Sequence, residues 1–388
     1  MSETPAPAKK GRLIFIDVMR GIAVLWMVET HVVDVCLGKW LKTGWFYNIL
    51  SISNGFVAVS FLFCAGAGFW LASMKKSDDY KHFRPPLWDY LRRLGFIMLL
   101  AYWMHAPVMS LSKFLKLPFN VQVQFAECDI LQAIVVSSLI ALAILMLTPK
   151  LKYIPYIFAI LAILIFSVTG LVLNTEPIDS MPAFLGAYFS NMKFSLYKIS
   201  KFPLFPWAGY FFAGAAITAA FMAAENKKRF AQIFFVGGFF VMYFLYFTNY
   251  WPWPYPGRQD WWYCSPWHSI FRTSCAVWVF SLLYLIEDKI KGRRFTKMLE
   301  ISGQESLFIY VFHNLIVYGS LVSIGLRFHV NMQLVYWQTG LVFLAIAIFS
   351  YYLSKGWHYI KQNNMKAARA IMVSAIILFV LVILVNPY

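Results

Sequence analysis

The sequence has few charged residues. Asp, Glu, Lys and Arg make up 13% of its 388 residues, whereas hydrophobic residues make up 60%. Soluble domains contain about 25% charged residues, so this composition excludes a soluble protein. Apolar runs recur from residue 12 onward, which predicts one polytopic membrane domain over 12–388 after a polar tail at 1–11. No small-residue cleavage site follows the first apolar run, so we interpret 1–11 as a cytosolic tail rather than part of a signal peptide.

Several sequence patterns of soluble enzymes are also missing. No P-loop, no Gly-x-Gly-x-x-Gly and no His-Glu-x-x-His is present, so nucleotide hydrolysis and zinc hydrolysis have no support. The five cysteines have no paired spacing of the kind that binds metals, and we expect no metal. Cys36, Cys128 and Cys264 map to the predicted outer boundary, where a disulfide is chemically possible, but the sequence does not choose a pair.

The apolar runs predict an all-α bundle of about eleven transmembrane helices. The predicted spans are 13–35, 55–74, 90–110, 129–147, 153–173, 203–223, 230–248, 267–286, 305–325, 333–353 and 367–385. Lys and Arg concentrate in alternate loops, which places the N-terminus in the cytoplasm and the C-terminus outside. The net charge of +17 therefore follows from membrane topology, and we expect no nucleic-acid partner. We expect a multi-pass protein of the cytoplasmic (inner) membrane.

The first span carries an unusual number of ionisable residues. Asp17, Arg20, Val24, Met27, His31 and Asp34 follow one another at steps of three or four, which places them on one stripe of a helix. A charge inside a span costs about 2.5–3.5 kcal/mol on insertion scales, so such residues usually face protein or a water-filled cavity. Arg20 and His31 would lie about 16 Å apart along this stripe. The alternative is structural: an Asp17–Arg20 ion pair, with His31 near a helix end.

Further polar residues map to the predicted outer surface. Glu127 and Asp129 open the fourth span, and His268 and Arg272 open the eighth. The outer loop 249–267 is rich in Trp, Tyr and Pro, which is typical of an interfacial aromatic belt. The alternative is a rigid platform on which a sugar stacks.

Five segments together resemble one known family, the catalytic domain of heparan-alpha-glucosaminide N-acetyltransferase, within the membrane acyltransferases. These segments are 12–31, 61–68, 129–133 with its Leu-Gln pair, 205–214 with Pro-Trp-x-Gly-Tyr, and 302–313 with Gly-x-x-Ser-Leu-x-x-Tyr-x-x-His. In lysosomal members the histidine credited with chemistry lies in the loop after the first span. That loop contains no histidine here, and His31 occupies the place of an asparagine at the end of the span.

The resemblance implies a cytosolic acyl-CoA donor, most simply acetyl-CoA, and a saccharide acceptor on the far side of the bilayer. His31 would act as a general base or carry the acyl group, and Asp34 would orient it. The predicted donor-binding residues are Asp17, Arg20, Lys75, Lys76, Arg92, Arg93, Gln132, His313 and Asn314. The predicted acceptor-binding residues are Glu127, Asp129, Trp207, His268 and Arg272. A homodimer remains possible.

A transporter or flippase for a small polar or envelope substrate is the alternative function. The ionisable residues of the first span would then relay protons. Transporters often contain two related halves, and an odd number of spans without an evident repeat argues against this class. His313 also has a structural alternative, as a buried residue hydrogen-bonded between helices.

Overall fold

The fold is described here from a computed structural model, over residues 13–175, 181–189, 200–249, 254–257, 259–320 and 323–386. The predicted tail at 1–11 and part of the aromatic loop 249–267 lie outside these residues. The same holds for Arg12, Lys193, Lys198 and Arg258, which contribute to the predicted topology.

Helices dominate the described part of the chain. The α-helices are α1 Ile14–Cys36, α2 Gly44–Asn54, α3 Phe56–Ser73, α4 Ser77–Lys81, α5 Pro85–Met104, α6 Leu111–Lys116, α7 Phe119–Phe125, α8 Ile130–Leu147, α9 Ile154–Thr175, α10 Ala183–Gly186, α11 Leu204–Ala223, α12 Lys227–Phe247, α13 Pro266–Ile290, α14 Arg294–Gln304, α15 Ser306–Val317, α16 Leu326–Val330, α17 Tyr336–Asn363 and α18 Met365–Val385. Short 3₁₀ turns lie at Lys39–Leu41, Met74–Lys76 and Leu151–Tyr153, and β1 Gly319–Ser320 pairs antiparallel with β2 Ser323–Ile324.

The prediction of an all-α polytopic membrane bundle is confirmed. Eight helical segments within the described residues are long and apolar enough to cross a membrane. The helices α1 and α5 have 23 and 20 residues, long enough to cross, but both carry more charge than such segments usually do. The count of eleven spans and the cytoplasmic position of the N-terminus stay predictions.

Three predicted spans differ from the observed helices, and one of them, 333–353, corresponds to the longer helix α17, which ends at Asn363. The predicted span 305–325 is a 12-residue helix, α15, followed by the two-stranded hairpin. At about 1.5 Å per residue, α15 is too short to cross a bilayer alone. The predicted span 90–110 is shifted, because α5 starts at Pro85 and ends at Met104. Proline is favoured at the first helical position, which explains the earlier start.

The helix α1 lies inside the bundle, where it packs against α3, α13, α14, α15 and α17. Most of its side chains are buried, including Phe15, Val24 and Val28. By contrast, α12 and α18 expose most of their apolar side chains, as lipid-facing helices do. A charged stripe on α1 therefore faces other helices rather than lipid.

The helices α3 and α11 approach each other closely through small residues. A Cβ atom at Gly66 of α3 would overlap the carbonyl of Phe211, and one at Gly214 of α11 would overlap the carbonyl of Phe63. Membrane helices pack closely where glycine lets backbones meet. All five cysteines lie in the described residues and are thiols, so the structure contains no disulfide at the predicted outer boundary.

Candidate functional site

A cavity of about 1140 Å³ runs along α1. Its lining includes α1 from Arg20 to Asp34, α3 together with the residue before it from Gly55 to Ala72, and α5 from Tyr90 to Met104. At about 1.5 Å per residue, these stretches span about 21, 25 and 21 Å. The cavity is thus nearly as long as the hydrocarbon core is thick, about 30 Å. Below, its Arg20 end is called the inner end and its Asp34 end the outer end, after the predicted topology.

The predicted polar stripe of α1 forms part of the cavity wall. Arg20, Met27, His31 and Asp34 all line the cavity, whereas Asp17 is buried beside α14 and does not. The side chains of α1 therefore connect the inner end of the cavity to its outer end.

His31 forms a hydrogen bond with His313 of α15. The two atoms joined are His31 Nδ1 and His313 Nε2, 2.8 Å apart, and the rings are nearly parallel. His313 is fully buried, and its Nδ1 lies 2.7 Å from the carbonyl oxygen of Ile309. The sequence places His313 near the donor path, but it does not predict this contact with His31.

The carbonyl of Ile309 fixes the direction of the hydrogen bonds. A carbonyl oxygen only accepts, so His313 Nδ1 carries the proton and donates it. In the neutral ring, His313 Nε2 is then an acceptor, and His31 Nδ1 donates to it. This leaves the lone pair of His31 on Nε2, which has no hydrogen-bond partner among the described residues, while the ring lines the cavity. His31 is thus oriented as a base.

Asp34 makes different contacts from those predicted. It is exposed, and its carboxylate accepts a hydrogen bond of 3.2 Å from the hydroxyl of Tyr318 and lies 3.8 Å from Lys42 Nζ. The predicted orienting contact between Asp34 and His31 is absent, because the His31 Nδ1 proton is directed to His313.

A charged cluster forms where α5 ends and α8 begins. Asp129 Oδ2 accepts a hydrogen bond of 3.0 Å from the hydroxyl of Tyr310 and lies 3.2 Å from His105 Nε2. The other ring nitrogen of His105 donates to the carbonyl of Ala101 at 2.9 Å. Because both nitrogens of His105 donate, its ring carries a positive charge. Asp129 and His105 both line the cavity.

The pKa values of this pair agree with an ion pair. Burial alone would lower the pKa of His105, but the hydrogen bond and charge of Asp129 outweigh it and raise the pKa. Burial would likewise raise the pKa of Asp129, yet His105 holds the pKa of that carboxyl below its usual value. At the same place, burial raises the pKa of Glu127, whose carboxylate lies 3.8 Å from Lys201 Nζ.

The inner end of the cavity contains two arginines. Arg20 lies 3.9 Å from Asp17, and its guanidinium donates a hydrogen bond of 3.3 Å to the carbonyl of Cys64. Arg93 also lines the cavity. The other predicted donor cations, Lys75, Lys76 and Arg92, are exposed and do not line it.

Two predicted donor-binding residues have clear local contacts. Gln132 is fully buried and its Oε1 accepts a hydrogen bond from the amide of Asp129, which forms a capping box at the start of α8. It does not line the cavity, so its position fits a helix cap rather than a ligand contact. Asn314 does line the cavity, and its Nδ2 donates to the carbonyl of Tyr310.

Three of the predicted acceptor-binding residues meet at the outer end. Trp207, His268 and Arg272 line the cavity together, and the Arg272 guanidinium lies 5.9 Å from the centre of the Trp207 ring. Glu127 is close to this end but does not line the cavity. The wall also contains Tyr310, Tyr318, Lys201 and Arg327, which the sequence did not single out because tyrosines and loop cations are common near membrane surfaces.

The comparison with known proteins agrees with these features. A family model described as heparan-alpha-glucosaminide N-acetyltransferase, catalytic, matches residues 12–245. A search of curated proteins gives no match. The matched part covers more than half of the chain, from α1 to α12, and includes His31 and Asp129. The chain therefore belongs to the heparan-alpha-glucosaminide N-acetyltransferase catalytic-domain family, and it is a multi-pass membrane protein of the acyltransferase type.

Proposed function

We propose that this protein transfers an acyl group, in the simplest case acetyl, from cytosolic acyl-CoA to a saccharide on the outer side of the cytoplasmic membrane. One observation carries the proposal: a cavity nearly as long as the bilayer core runs along α1, and the lone pair of His31 Nε2 in its wall has no hydrogen-bond partner among the described residues. Family membership supports the reaction class.

The donor would enter at the inner end. CoA carries phosphates, and arginine binds phosphate through paired, charge-assisted hydrogen bonds. Arg93 and Arg20 line the cavity at this end, whereas Lys75, Lys76 and Arg92 remain outside, where they attract the donor at long range. The pantetheine arm then follows the wall of α1 past Met27 and brings the thioester to His31.

His31 would act as a general base. Its Nε2 takes the proton from the acceptor hydroxyl or amine as the acceptor oxygen or nitrogen attacks the thioester carbonyl. The tetrahedral intermediate then collapses, the carbon–sulfur bond breaks, and the CoA sulfur takes the proton from His31. An acyl-His31 intermediate uses the same lone pair and divides this transfer into two steps.

Two neighbouring groups would support His31. The His313 ring holds the His31 tautomer by accepting its Nδ1 proton, which is the task of the carboxylate in a catalytic triad. Asn314 uses one of its two amide protons on the carbonyl of Tyr310. The second amide proton is therefore available to stabilise the oxyanion of the intermediate.

The test uses purified protein, acetyl-CoA labelled in the acetyl group, and a mixture of envelope saccharides. We expect CoA release with transfer of the label to saccharide, and His31→Ala should lower kcat about 10²–10⁴-fold because general-base catalysis contributes about that factor. Substitution of the exposed His329 by Ala is the matched control and should leave the rate unchanged.

Two results would count against the proposal, and a third would choose between its two routes. An unchanged rate in His31→Ala would remove His31 from the reaction. The transporter alternative would be favoured if no acceptor led to release of CoA and if CoA also failed to bind and protect the protein. Label that stays on the wild-type protein and is absent from His31→Ala would instead identify the acyl-His31 route.

A further inference from the structure

The outer end of the cavity has a wall that combines aromatic rings with cations. We define the acceptor subsite as the part of this wall formed by Trp207, Trp262, His268 and Arg272. The helices α11 and α13 and the segment before α13 contribute these residues. The following inference rests on the proposed function and concerns the chemical class of the acceptor.

Arg272 is a cation without an anionic partner among the residues that the structure describes. No carboxylate of the described residues lies within ion-pair distance of its guanidinium, which lies over the ring of Trp207 at 5.9 Å. A Cβ at Gly55 would lie 2.9 Å from Arg272 Nη2, so the guanidinium is fitted closely against the backbone at the start of α3. A half-buried, closely fitted cation of this kind binds an anion more strongly than a mobile surface lysine does.

The carboxylates near the outer end are already occupied. Asp129 pairs with His105 and Tyr310, and Asp34 pairs with Lys42 and Tyr318. Lys201 lies 3.8 Å from Glu127, so Arg272 and Arg327 are the cations of the wall at this end that have no ion pair with a described residue. A ligand at this end therefore meets a net positive field, which favours an anion over an amine.

His268 offers a second polar contact in the acceptor subsite. It is only 3% exposed, its Nε2 is buried without a hydrogen-bond partner, and the residue lines the cavity. The ring is fixed by Trp261 at 4.4 Å, Trp262 at 5.1 Å and Phe271 at 6.1 Å. A buried polar atom without a partner is costly, and a ligand hydroxyl donating to it would remove that cost.

We propose that the acceptor subsite binds an acidic sugar, with its carboxylate or phosphate on Arg272, one of its hydroxyls on His268, and its ring against Trp207. The flat aromatic faces suit the apolar side of a pyranose, whereas the guanidinium and imidazole fix its polar groups. An acyl-CoA phosphate has the same anionic chemistry, so the test must separate these two sources.

Binding of small sugars by the purified protein tests this directly. The probes are glucuronate and glucose 6-phosphate, with neutral glucose as the matched control, and saturation-transfer NMR measures Kd without any need for turnover. We expect both acidic sugars to bind about tenfold more tightly than glucose, which corresponds to about 1.4 kcal/mol. Added salt should reduce this difference, because it rests on charge.

Variants at Arg272 identify the anion site. Arg272→Gln should abolish the preference for acidic sugars and leave the Kd of CoA unchanged, whereas Arg272→Lys should keep part of the preference. Arg229→Gln, at an exposed arginine outside the cavity wall, is the matched control and should behave as wild type. Partial rescue by lysine would show that charge matters, beyond any structural effect of the substitution.

Two outcomes would overturn the inference. Equal binding of glucose and the acidic sugars by the wild type would show that the acceptor subsite does not select anions. Weaker CoA binding in Arg272→Gln, with an unchanged sugar preference, would assign Arg272 to the donor phosphates. Failure of the proposed function is distinguishable, since sugar binding would persist while no acyl transfer occurred.

Discussion

At His31, a backbone carbonyl decides which nitrogen is the base. The carbonyl oxygen of Ile309 accepts a hydrogen bond from His313 Nδ1, and this fixes the tautomer first of His313 and then of His31. A catalytic triad ends on a carboxylate, which stabilises the imidazolium by charge. Here the group behind His31 is a buried neutral ring, so His31 gains orientation from His313 but little charge stabilisation. The charged form of His31 is therefore best suited to a short-lived step, as in proton transfer during acyl transfer.

The His105–Asp129 ion pair predicts a pH-dependent stability. The pKa of His105 is higher in the folded protein than the value of about 6.5 in the unfolded chain. The contribution of His105 to the free energy of unfolding is therefore complete below about pH 6.5 and is lost as the pH rises through the folded pKa. The pKa of Asp129 is lowered in the folded protein, so the contribution of Asp129 to the free energy of unfolding is complete above about pH 3.9 and is lost on acidification. We expect His105→Gln to lower the unfolding temperature at pH 5–6, and the difference from wild type to shrink at alkaline pH.

Thermal unfolding in one detergent over a pH series measures this difference. His329→Gln, at an exposed histidine outside the charged cluster, is the control and should follow the wild type at every pH. Glu127 and Lys201 lie near the same pair, so Lys201→Gln is measured in parallel to separate their effect from that of His105. A His105→Gln deficit that is constant from pH 5 to 9 would contradict the ion pair.

The residue-level site could be predicted only in part from the sequence. The spacing of Arg20, His31 and Asp34 correctly predicts one stripe, and the structure places all three in the cavity wall. The contact between His31 and His313 joins residues 282 positions apart, and no local pattern indicates it. The one-turn spacing of Asp34 from His31 predicts a contact between them, but the Asp34 carboxylate instead contacts the hydroxyl of Tyr318 and the amine of Lys42.

At the scale of elements, α15 is short and is held by polar contacts rather than by length. At its start, Glu305 is 4% exposed and accepts hydrogen bonds from Lys361 and His358 of α17. One turn later, Tyr310 donates to Asp129 at the start of α8. These two contacts hold α15, and therefore His313 and Asn314, in register against α1. The apolar run 305–325 predicts a full span, because hydropathy does not distinguish one long helix from a short helix that is followed by a hairpin.

The packing of α3 on α11 predicts a strong effect of a single methyl group. A Cβ at Gly66 would overlap the carbonyl of Phe211, so Gly66→Ala must separate the two helices. Inserting a methyl group into a packed interface typically costs about 1–3 kcal/mol. We expect Gly66→Ala to lower the unfolding temperature in detergent.

Gly95 of α5 provides the matched control. It is also a helical glycine, but a Cβ there would meet no atom within 4 Å. We expect Gly95→Ala to be neutral or slightly stabilising, since alanine restricts the unfolded chain. Equal unfolding temperatures for the two variants would show that α3 and α11 are not packed as described.

At the scale of the whole molecule, the cavity has cations at both ends and a length close to the thickness of the bilayer core. The cations of its two ends would bind anions, with Arg20 and Arg93 at the inner end and Arg272 at the outer end, while the middle of the wall is largely apolar. The bundle and its main spans were predictable because membrane helices are read directly from long apolar runs. The cavity could not be predicted, because it depends on which helices pack together, and the sequence alone does not give the distances between helices.

The cavity runs nearly the thickness of the bilayer core, and its two ends lie toward opposite sides of the predicted topology, which predicts opposite accessibility at these ends. Ala72 and Tyr263 are exposed residues of the wall at the inner and outer ends. We expect a membrane-impermeant maleimide to label Ala72→Cys only from the cytoplasmic side and Tyr263→Cys only from the outside. CoA should slow labelling at Ala72→Cys and leave Tyr263→Cys unchanged, because the proposed function places its phosphates near Arg93. The wild type gives the background, since four of its cysteines are buried and Cys275 is half-buried. Lys152→Cys, exposed and outside the wall, is the control that CoA should not protect. Labelling of both wall positions from the same side would contradict a cavity whose two ends lie toward opposite sides.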